Sequence, residues 1–117
     1  MVEGSQIDWG GHDNDSNYVL NEVLDFDSTI EAVVNWAKKD GETLVIITAD
    51  HETGGLSLVG YDKKNQKPAM NFSTHHHTGI PVPVFAVGPG AQLFSGVYEN
   101  TEIYYKILQL LQMNSKE

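Results

Sequence analysis

The sequence predicts an α/β fold, a partial and mainly parallel sheet flanked by helices, within a single segment that spans residues 1–117. Helical and strand-like patterns alternate along the chain without an internal repeat, as expected for parallel strands joined by helices. The clearest strand pattern is residues 43–49, a continuous run of Thr-Leu-Val-Ile-Ile-Thr-Ala. Such a run is typical of a strand buried on both faces and predicts a central parallel strand.

The first half of the chain is predicted to pass from a loop into helices. Residues 1–17 are rich in Gly, Asn and Asp and indicate a loop, followed by a short helical segment at 17–23. A longer helix is expected to start at Ser28, which forms a capping-box pattern with Glu31. Its apolar face is Ile30, Val33, Val34 and Ala37, and Gly41 is expected to end it.

The second half is predicted to hold two further strands and a last helix. These segments are a weaker strand at 56–61, a polar turn at 62–68, a strand at 81–87 that ends at Gly88-Pro89-Gly90, a helix at 101–112 and an exposed tail at 114–117. The last helix has apolar residues at helical spacing.

Composition excludes several classes of protein. The chain has no cysteine, so disulfides and cysteine-held zinc are excluded, and any zinc must be bound by His, Asp and Glu. A net charge of -9 disfavours nucleic acid as a partner. No apolar run reaches the roughly 18 to 20 residues of a membrane span, and the N-terminus lacks the pattern of a signal peptide.

Six side chains of the types that bind metals stand out. They are Glu3, Asp8, His12, Asp50, His51 and His77. Mixed carboxylate and imidazole ligands are typical of zinc sites, and carboxylate oxygens also suit magnesium. Asp50 and His51 follow the predicted central strand, where α/β sheets gather their ligands. The sequence therefore predicts a hydrolytic metal site.

Each of these patterns also has a plainer interpretation. Asp8 and His12 are four residues apart, but Gly10-Gly11 disfavours a regular helix, so a Gly-rich bend or an ordinary surface loop is expected there. A calcium loop is disfavoured because the required carboxylate spacing is absent. Asp50 and His51 could be an ordinary cap and loop residue.

The run His75-His76-His77 is ambiguous in a different way. Three consecutive histidines cannot all bind one ion comfortably, so at most one or two should serve. His77 is preferred because Thr78-Gly79 can hold it in a tight turn. The alternative is a solvated polyhistidine turn, and the pattern leaves the roles of His75 and His76 open.

Three longer segments resemble the C-terminal part of bacterial alkaline phosphatases. The segments are Val2-Glu3-Gly4-Ser5-Gln6-Ile7-Asp8-Trp9-Gly10-Gly11-His12, Thr43-Leu44-Val45-Ile46-Ile47-Thr48-Ala49-Asp50-His51-Glu52-Thr53-Gly54-Gly55, and His77-Thr78-Gly79 followed by Val82-Pro83-Val84-Phe85-Ala86-Val87-Gly88-Pro89-Gly90-Ala91. Their order and spacing also match. The resemblance covers essentially the whole chain and implies the C-terminal part of an alkaline-phosphatase-like fold.

The resemblance also implies a role for each candidate ligand. Asp8, His12 and His77 match the three protein ligands of a first zinc, and Asp50 and His51 match two ligands of a second zinc. Glu3 matches one ligand of a neighbouring magnesium. Two zinc ions would clamp the entering and leaving oxygens of an in-line displacement at phosphorus, with phosphate monoesters as substrates.

The resemblance places the catalytic serine and a phosphate-binding arginine upstream of this chain, which itself contains no arginine. Asp15-Ser16 and Asp27-Ser28 do not fit a nucleophile motif. We therefore expect an inactive C-terminal part of a longer enzyme, which the resemblance implies is periplasmic or secreted. We also expect a homo-oligomer, because removing neighbouring strands exposes edges. The alternative is a non-catalytic zinc-binding or assembly module. A calcineurin-like phosphoesterase is disfavoured, because its Asp-x-His and Gly-Asn-His-Glu signatures are absent.

Overall fold

The computed structural model describes residues 1–112, so the predicted tail at 114–117 lies outside the described residues. The helices are α1 (Gln6–His12), α2 (Ser16–Asp40) and α3 (Glu102–Leu110), with a short 3-10 helix at Ala91–Phe94. The strands are β1 (Val45–Ile47), β2 (Glu52–Thr53), β3 (Ser57–Asp62), β4 (Lys67–Asn71), β5 (His77–Thr78) and β6 (Phe85–Val87). The alternation of helices and strands is confirmed.

The chain forms two compact units. The first comprises Met1–Ile30 and His51–Val82, and the second comprises Glu31–Asp50 and the described residues from Pro83 onward. The first unit contains α1 with the strand pairs β2·β5 and β3·β4, and the second contains β1·β6, the 3-10 helix and α3. Within residues 1–112, no helix combines the length and apolar character needed to cross a bilayer.

The predicted parallel sheet is wrong for the described residues. All three strand pairs are antiparallel and two-stranded, and the predicted central strand is β1, which is half-buried and pairs with β6. An apolar run indicates a strand, but its pairing direction depends on which segment returns beside it. Here residues 85–87 return in the antiparallel direction, with Val45 opposite Val87 and Ile47 opposite Phe85.

Gly88 allows β6 to end against the start of β1. Its φ is +113°, and a Cβ at this position would lie 2.2 Å from the carbonyl oxygen of Thr43. Only glycine accommodates both the backbone conformation and the close approach. The predicted stop after residue 87 is thus confirmed, although the strand itself is limited to Phe85–Val87 rather than 81–87.

The predicted N-terminal loop instead contains helix α1, because its two glycines are buried. A Cβ on Gly10 would lie 3.0 Å from the backbone nitrogen of Val19, and one on Gly11 would lie 3.0 Å from the side chain of Thr53. Glycine is a poor helix former when exposed, but here it lets the helix approach its neighbours closely. Tertiary packing therefore overrides the local preference for a bend.

Helix α2 replaces the two helices predicted at 17–23 and from Ser28 onward. It begins after Asp15, whose Oδ1 accepts hydrogen bonds from the backbone N–H groups of Asn17 at 2.9 Å and Tyr18 at 3.0 Å. This is an N-terminal cap. Ser28 does not cap a helix, because its hydroxyl donates to the carbonyl of Leu24 one turn earlier, at 3.2 Å.

The end of α2 matches the prediction. Gly41 has a φ of +78°, and its N–H donates to the carbonyl oxygen of Ala37 at 2.9 Å. Glycine in this left-handed conformation commonly ends a helix. The predicted strand at 56–61 and the last helix at 101–112 are also present, as β3 and α3 with slightly different bounds.

Buried apolar side chains are few among the described residues. Val19 in the first unit is 4% exposed, and Ala37 and Phe94 in the second unit are 3% and 4% exposed. Both units also present exposed large apolar side chains, Leu58, Val59 and Tyr61 in the first and Phe85, Tyr104 and Leu111 in the second. Close glycine packing and polar contacts therefore position much of the first unit.

Candidate metal centre

Three potential metal ligands converge in the first unit. Asp8 and His12 lie one turn apart on α1, where residues four apart share a face of a helix, and His77 lies in β5. The Nε2 atoms of His12 and His77 are 3.1 Å apart, and each is 3.5 Å from Oδ1 of Asp8. Three ligand atoms therefore form a nearly regular triangle.

The size and chemistry of this triangle fit zinc. Ligand atoms around a tetrahedral zinc, with bonds of about 2.0–2.1 Å, are separated by about 3.3–3.4 Å. The three observed separations bracket that value. Two imidazoles and one carboxylate match the ligand set of catalytic zinc sites, which keep a fourth position for water, whereas magnesium and calcium prefer oxygen ligands.

Thr53 orients the carboxylate of Asp8. Its hydroxyl donates a short hydrogen bond to Oδ1 of Asp8, and its Oγ1 also lies 3.3 Å from Nδ1 of His51. Because the single hydroxyl proton points to the carboxylate, Thr53 accepts a hydrogen bond from Nδ1 of His51. One threonine thus links Asp8 to His51.

Backbone contact fixes which nitrogen of His12 is available. Nδ1 of His12 lies 2.6 Å from the carbonyl oxygen of His75. A carbonyl can only accept, so Nδ1 must carry the proton and donate. Nε2 then presents its lone pair, which is the form needed to bind a metal.

His51 lies directly beside the triangle. Its ring stacks on the ring of His77, with centroids 3.5 Å apart and planes inclined by 21°. His51 is half-buried and immediately precedes β2, so the pairing of β2 with β5 brings the two rings together. The strand pair therefore places a third imidazole beside the two imidazoles of the triangle.

Glu52 holds the β2·β5 pair together through its side chain. Thr78 donates its hydroxyl proton to Oε2, and the backbone N–H of Leu56 donates to Oε1 at 3.0 Å. Partial burial raises the pKa of the Glu52 carboxyl, but these hydrogen bonds, one from the Gly55 backbone and the charge of His51 outweigh it and hold the pKa below its ordinary value.

Two other predicted ligands, Asp50 and Glu3, are not part of the triangle. Asp50 is exposed, three residues after β1, and belongs to the second unit. Glu3 is exposed ahead of α1, and with Glu22 and Asp25 it lines a cavity of about 190 Å³. Within residues 1–112, the ligand atoms of Asp8, His12 and His77 converge on one point, and Asp50 and Glu3 are not part of this group.

Two contributors were not anticipated from the sequence. Thr53 and Glu52 make the hydrogen bonds described above, yet neither was singled out as a site residue. Their position directly after Asp50-His51 was the available signal, because a strand that starts beside a ligand also orients it. Of the three consecutive histidines, His77 lies in the triangle, and the carbonyl of His75 contacts Nδ1 of His12.

A cavity of about 500 Å³ in the second unit has a different character. It is lined by Glu42, Leu44, Ile46, Pro89, Gly90, Ile107, Leu110 and Leu111. A lining with one carboxylate and otherwise apolar side chains or glycine offers no set of converging metal ligands. The candidate site is therefore the triangle in the first unit.

Comparison with known proteins identifies the family of this chain. The sequence model described as "Alkaline phosphatase" matches residues 1–71 and 59–113. The chain belongs to the alkaline phosphatase family. It is 54% identical over 179 aligned positions to alkaline phosphatase 4 of Bacillus subtilis, covering 93% of this chain and 39% of that protein.

Solved alkaline phosphatases share the arrangement of the chain. The alkaline phosphatase of the Antarctic bacterium TAB5 superimposes with a TM-score of 0.87 at 48% identity, over 97% of this chain and 35% of that one. A mutant of the same enzyme, with Mg bound in the M3 site, gives the same TM-score at 46% identity and the same coverage. The chain spans about two fifths of the length of its Bacillus subtilis relatives.

Proposed function

We propose that this chain is the metal-binding part of an enzyme that hydrolyses phosphate monoesters, with Asp8, His12 and His77 as the protein ligands of its first zinc. The observation that carries this proposal is the triangle of ligand atoms, whose edges of 3.1, 3.5 and 3.5 Å suit tetrahedral zinc. A zinc ion bound there would activate a water molecule and stabilise a leaving oxygen.

The chain's own residues prepare this position in three ways. Thr53 holds the Asp8 carboxylate through Oδ1, the His75 carbonyl keeps the His12 lone pair on Nε2, and β5 carries His77 to the same point. Electrostatics adds a reason for cations. A chain with a net charge of -9 repels a phosphate dianion, so bound metal ions must reverse the local field.

A second zinc and a magnesium complete the proposed site. We assign Asp50 and His51 to the second zinc, since the His51 ring lies 3.5 Å from the His77 ring and thus beside the first position. Glu3 is assigned to magnesium. Support for that third metal comes from a mutant of the similar TAB5 enzyme, the structure of which has Mg bound in its M3 site.

The catalytic steps would need groups that this chain does not supply. A phosphate-binding arginine cannot come from a chain without arginine, and we propose that this residue and the serine nucleophile belong to a longer polypeptide. The 117-residue chain should therefore show no significant turnover of a phosphate monoester, even with zinc and magnesium added.

Zinc titration tests the proposal. The parent chain should bind one zinc tightly through the triangle, and Asp8→Ala and His12→Ala should each lower that affinity by more than about 100-fold, since even indirect metal contacts are worth about 10- to 100-fold. The matched control is Asp13→Ala, which removes an exposed carboxylate next to His12. Equal zinc uptake by all four proteins would refute the assignment.

A non-catalytic zinc-binding or assembly module is the second candidate, because one complete three-ligand set lies within the first unit. The two candidates differ in the longer polypeptide. A phosphatase assay should show turnover that Asp8→Ala abolishes if the first proposal is right, and none if the chain is only a module.

Self-association and location are also proposals. Leu58, Val59 and Tyr61 are exposed on β3, and such apolar surface favours contact between copies of the chain. Light scattering should report a dimer or larger species, and a monomer at high concentration would contradict this. We propose a periplasmic or secreted location for the longer polypeptide, which cell fractionation would test.

A further inference from the structure

The C-terminal end of α1 and the turn before β5 are joined by a reciprocal pair of hydrogen bonds. Nδ1 of His12 donates to the carbonyl oxygen of His75 at 2.6 Å, and Nδ1 of His75 donates to the carbonyl oxygen of His12 at 2.8 Å. The two residues are 63 positions apart in the sequence. Each imidazole therefore fixes the backbone of the other residue.

Asn14 adds a third connection between the same two segments. Its backbone is left-handed, with a φ of +54°, a conformation that asparagine tolerates better than most residues. In the amide orientation that satisfies its neighbours, Nδ2 donates to the carbonyl oxygens of Gly11 at 2.9 Å and Thr74 at 2.8 Å. Three side chains thus tie α1 to residues 74–75.

These contacts determine the chemical form of His12. The proton on its Nδ1 is needed only because the His75 carbonyl lies opposite, and that carbonyl is held in place by the His75 side chain itself. With Nδ1 protonated, Nε2 of His12 faces Asp8 and His77 as a lone-pair donor. Partners of this kind orient a metal ligand and select its tautomer.

We propose that His75 is a positioning residue for the metal centre: it holds His12 in the tautomer and orientation that bind zinc, and is not itself a ligand. This inference rests on the proposed zinc site. It assigns different roles to the three consecutive histidines, because His77 supplies a ligand atom and His75 supports the ligand His12.

His76 has a backbone role and provides the matched control. Its carbonyl accepts a hydrogen bond from the Gly54 N–H at 2.9 Å, and its own N–H donates to the Thr74 hydroxyl at 3.2 Å. Both His75 and His76 are exposed. Replacing the side chain of His76 thus changes a neighbouring exposed imidazole without removing a contact to His12.

The test uses the full 117-residue chain with the variants His75→Phe, His75→Asn and His76→Phe. Phenylalanine keeps a ring but has no donor, whereas the asparagine amide nitrogen occupies the position of Nδ1 and can donate to the His12 carbonyl. Zinc affinity is measured by titration. The tautomer of His12 is read in the metal-free chain from ¹⁵N imidazole NMR shifts at about pH 8.5, where ordinary imidazoles are neutral.

We expect the parent to show His12 protonated on Nδ1. His75→Phe should lower zinc affinity by about 10- to 100-fold and give a mixture of the two His12 tautomers. His75→Asn should restore both properties, and His76→Phe should change neither. Rescue by asparagine separates positioning from a general loss of structure.

The outcomes distinguish this inference from the proposed function. If Asp8→Ala loses zinc while His75→Phe binds it as the parent does, the positioning role is wrong and the zinc site stands. If the parent binds no zinc, the zinc site is wrong, and the tautomer measurement still decides whether His75 fixes His12. Failure of His75→Asn to rescue, or an equal effect of His76→Phe, would overturn the inference.

Discussion

The two strand pairs of the first unit differ in length and in purpose. The β3·β4 hairpin pairs five positions around a β-bulge, and the β2·β5 pair has two, Glu52 opposite Thr78 and Thr53 opposite His77. The longer pair exposes the side chains of Leu58, Val59 and Tyr61, whereas the shorter pair supplies His77 to the triangle. The length of a strand pair therefore does not indicate which pair carries the candidate metal ligands.

The two pairs are held by different contacts. Side chains of Glu52 and Thr53 bond across to Thr78 and Asp8, and Gly54 bonds through its backbone to residues 73, 74 and 76. In the hairpin, the turn is closed locally by Asp62, which accepts hydrogen bonds from the following residues. Changes in β2·β5 should thus affect both stability and zinc, and changes in β3·β4 should affect neither strongly.

The largest effect is expected for Gly54→Ala. Gly54 has a φ of +87°, and a Cβ there would lie 2.8 Å from the Phe72 ring and 2.9 Å from the Gly11 carbonyl oxygen. Backbone strain and overpacking together should lower the free energy of unfolding by about 2–4 kcal/mol in urea denaturation. The control is Gly60→Ala in β3, where the φ of +154° also strains an alanine but an added Cβ would meet no other part of the chain within 4 Å, so it reports strain without overpacking. If Gly60→Ala lowered the free energy of unfolding as much as Gly54→Ala, the predicted difference between the two strand pairs would be wrong.

The next effect concerns two hydroxyls, one in each strand pair, that contact different groups. Thr53→Val removes the donor to Asp8 and should lower zinc affinity by about 10-fold, because the carboxylate loses the contact that orients it. Ser57→Ala removes a 3.4 Å hydrogen bond to the Asn71 carbonyl in the hairpin and should leave zinc affinity unchanged. Calorimetric titration of both variants measures the difference, and Thr53→Ser should remain near the parent.

A pH effect on stability is expected for one carboxylate in each of the two pairs. Glu52 has a lowered pKa for the reasons given above, and the Asn65 side chain and backbone hold the pKa of Asp62 below its ordinary value as well. A lowered pKa in the folded state stabilises the chain above the unfolded-state value, and this stability is lost as the pH falls below about 4.

Unfolding measured between about pH 6 and pH 3 should therefore become less pH-dependent in both Glu52→Gln and Asp62→Asn. Only Glu52→Gln should also weaken zinc binding, because Glu52 holds β2 against β5. A pH profile identical to that of the parent in both variants would contradict the assigned hydrogen bonds.

The smallest effect is expected for Val59→Thr on β3. Val59 is 63% exposed, and threonine keeps the branched shape that suits a strand. In the monomeric chain, at concentrations below those at which copies associate, the free energy of unfolding should change by no more than about 0.5 kcal/mol, with zinc affinity unaffected. A larger loss in thermal denaturation would show that the hairpin face is covered in solution.

The sequence indicated which candidate ligands would meet better than it indicated the fold around them. Asp8, His12 and His77 were predicted as one zinc set, and their ligand atoms do converge. The loop predicted around Asp8 and His12 was wrong, because local propensity assigned Gly10-Gly11 to a bend. In the structure, Thr53 and Val19 approach these glycines closely, which makes glycine suitable for a buried helix face. A residue's partners decide such cases, and they are distant in sequence.

Pairing direction and helix boundaries were missed for related reasons. The apolar run at 43–49 identified a strand, but nothing in it specified that residues 85–87 would pair with it antiparallel. The sequence around Ser28 is compatible with a helix cap and equally with the interior of a helix. In the interior, the Ser28 hydroxyl can donate back to the Leu24 carbonyl, as it does here. Local patterns with two compatible structures are resolved only by the rest of the chain.

The turn between β3 and β4 has a practical consequence for altering the length of this chain. The alignment with alkaline phosphatase 4 of Bacillus subtilis runs over 179 positions, more than the 117 residues present here, so the relative carries additional residues within the aligned region. The two matched segments of the family model overlap at residues 59–71, which include this turn. Residues 63–66 are exposed and contribute nothing to the triangle. A fluorescent or affinity module inserted there would leave every proposed first-zinc ligand in place.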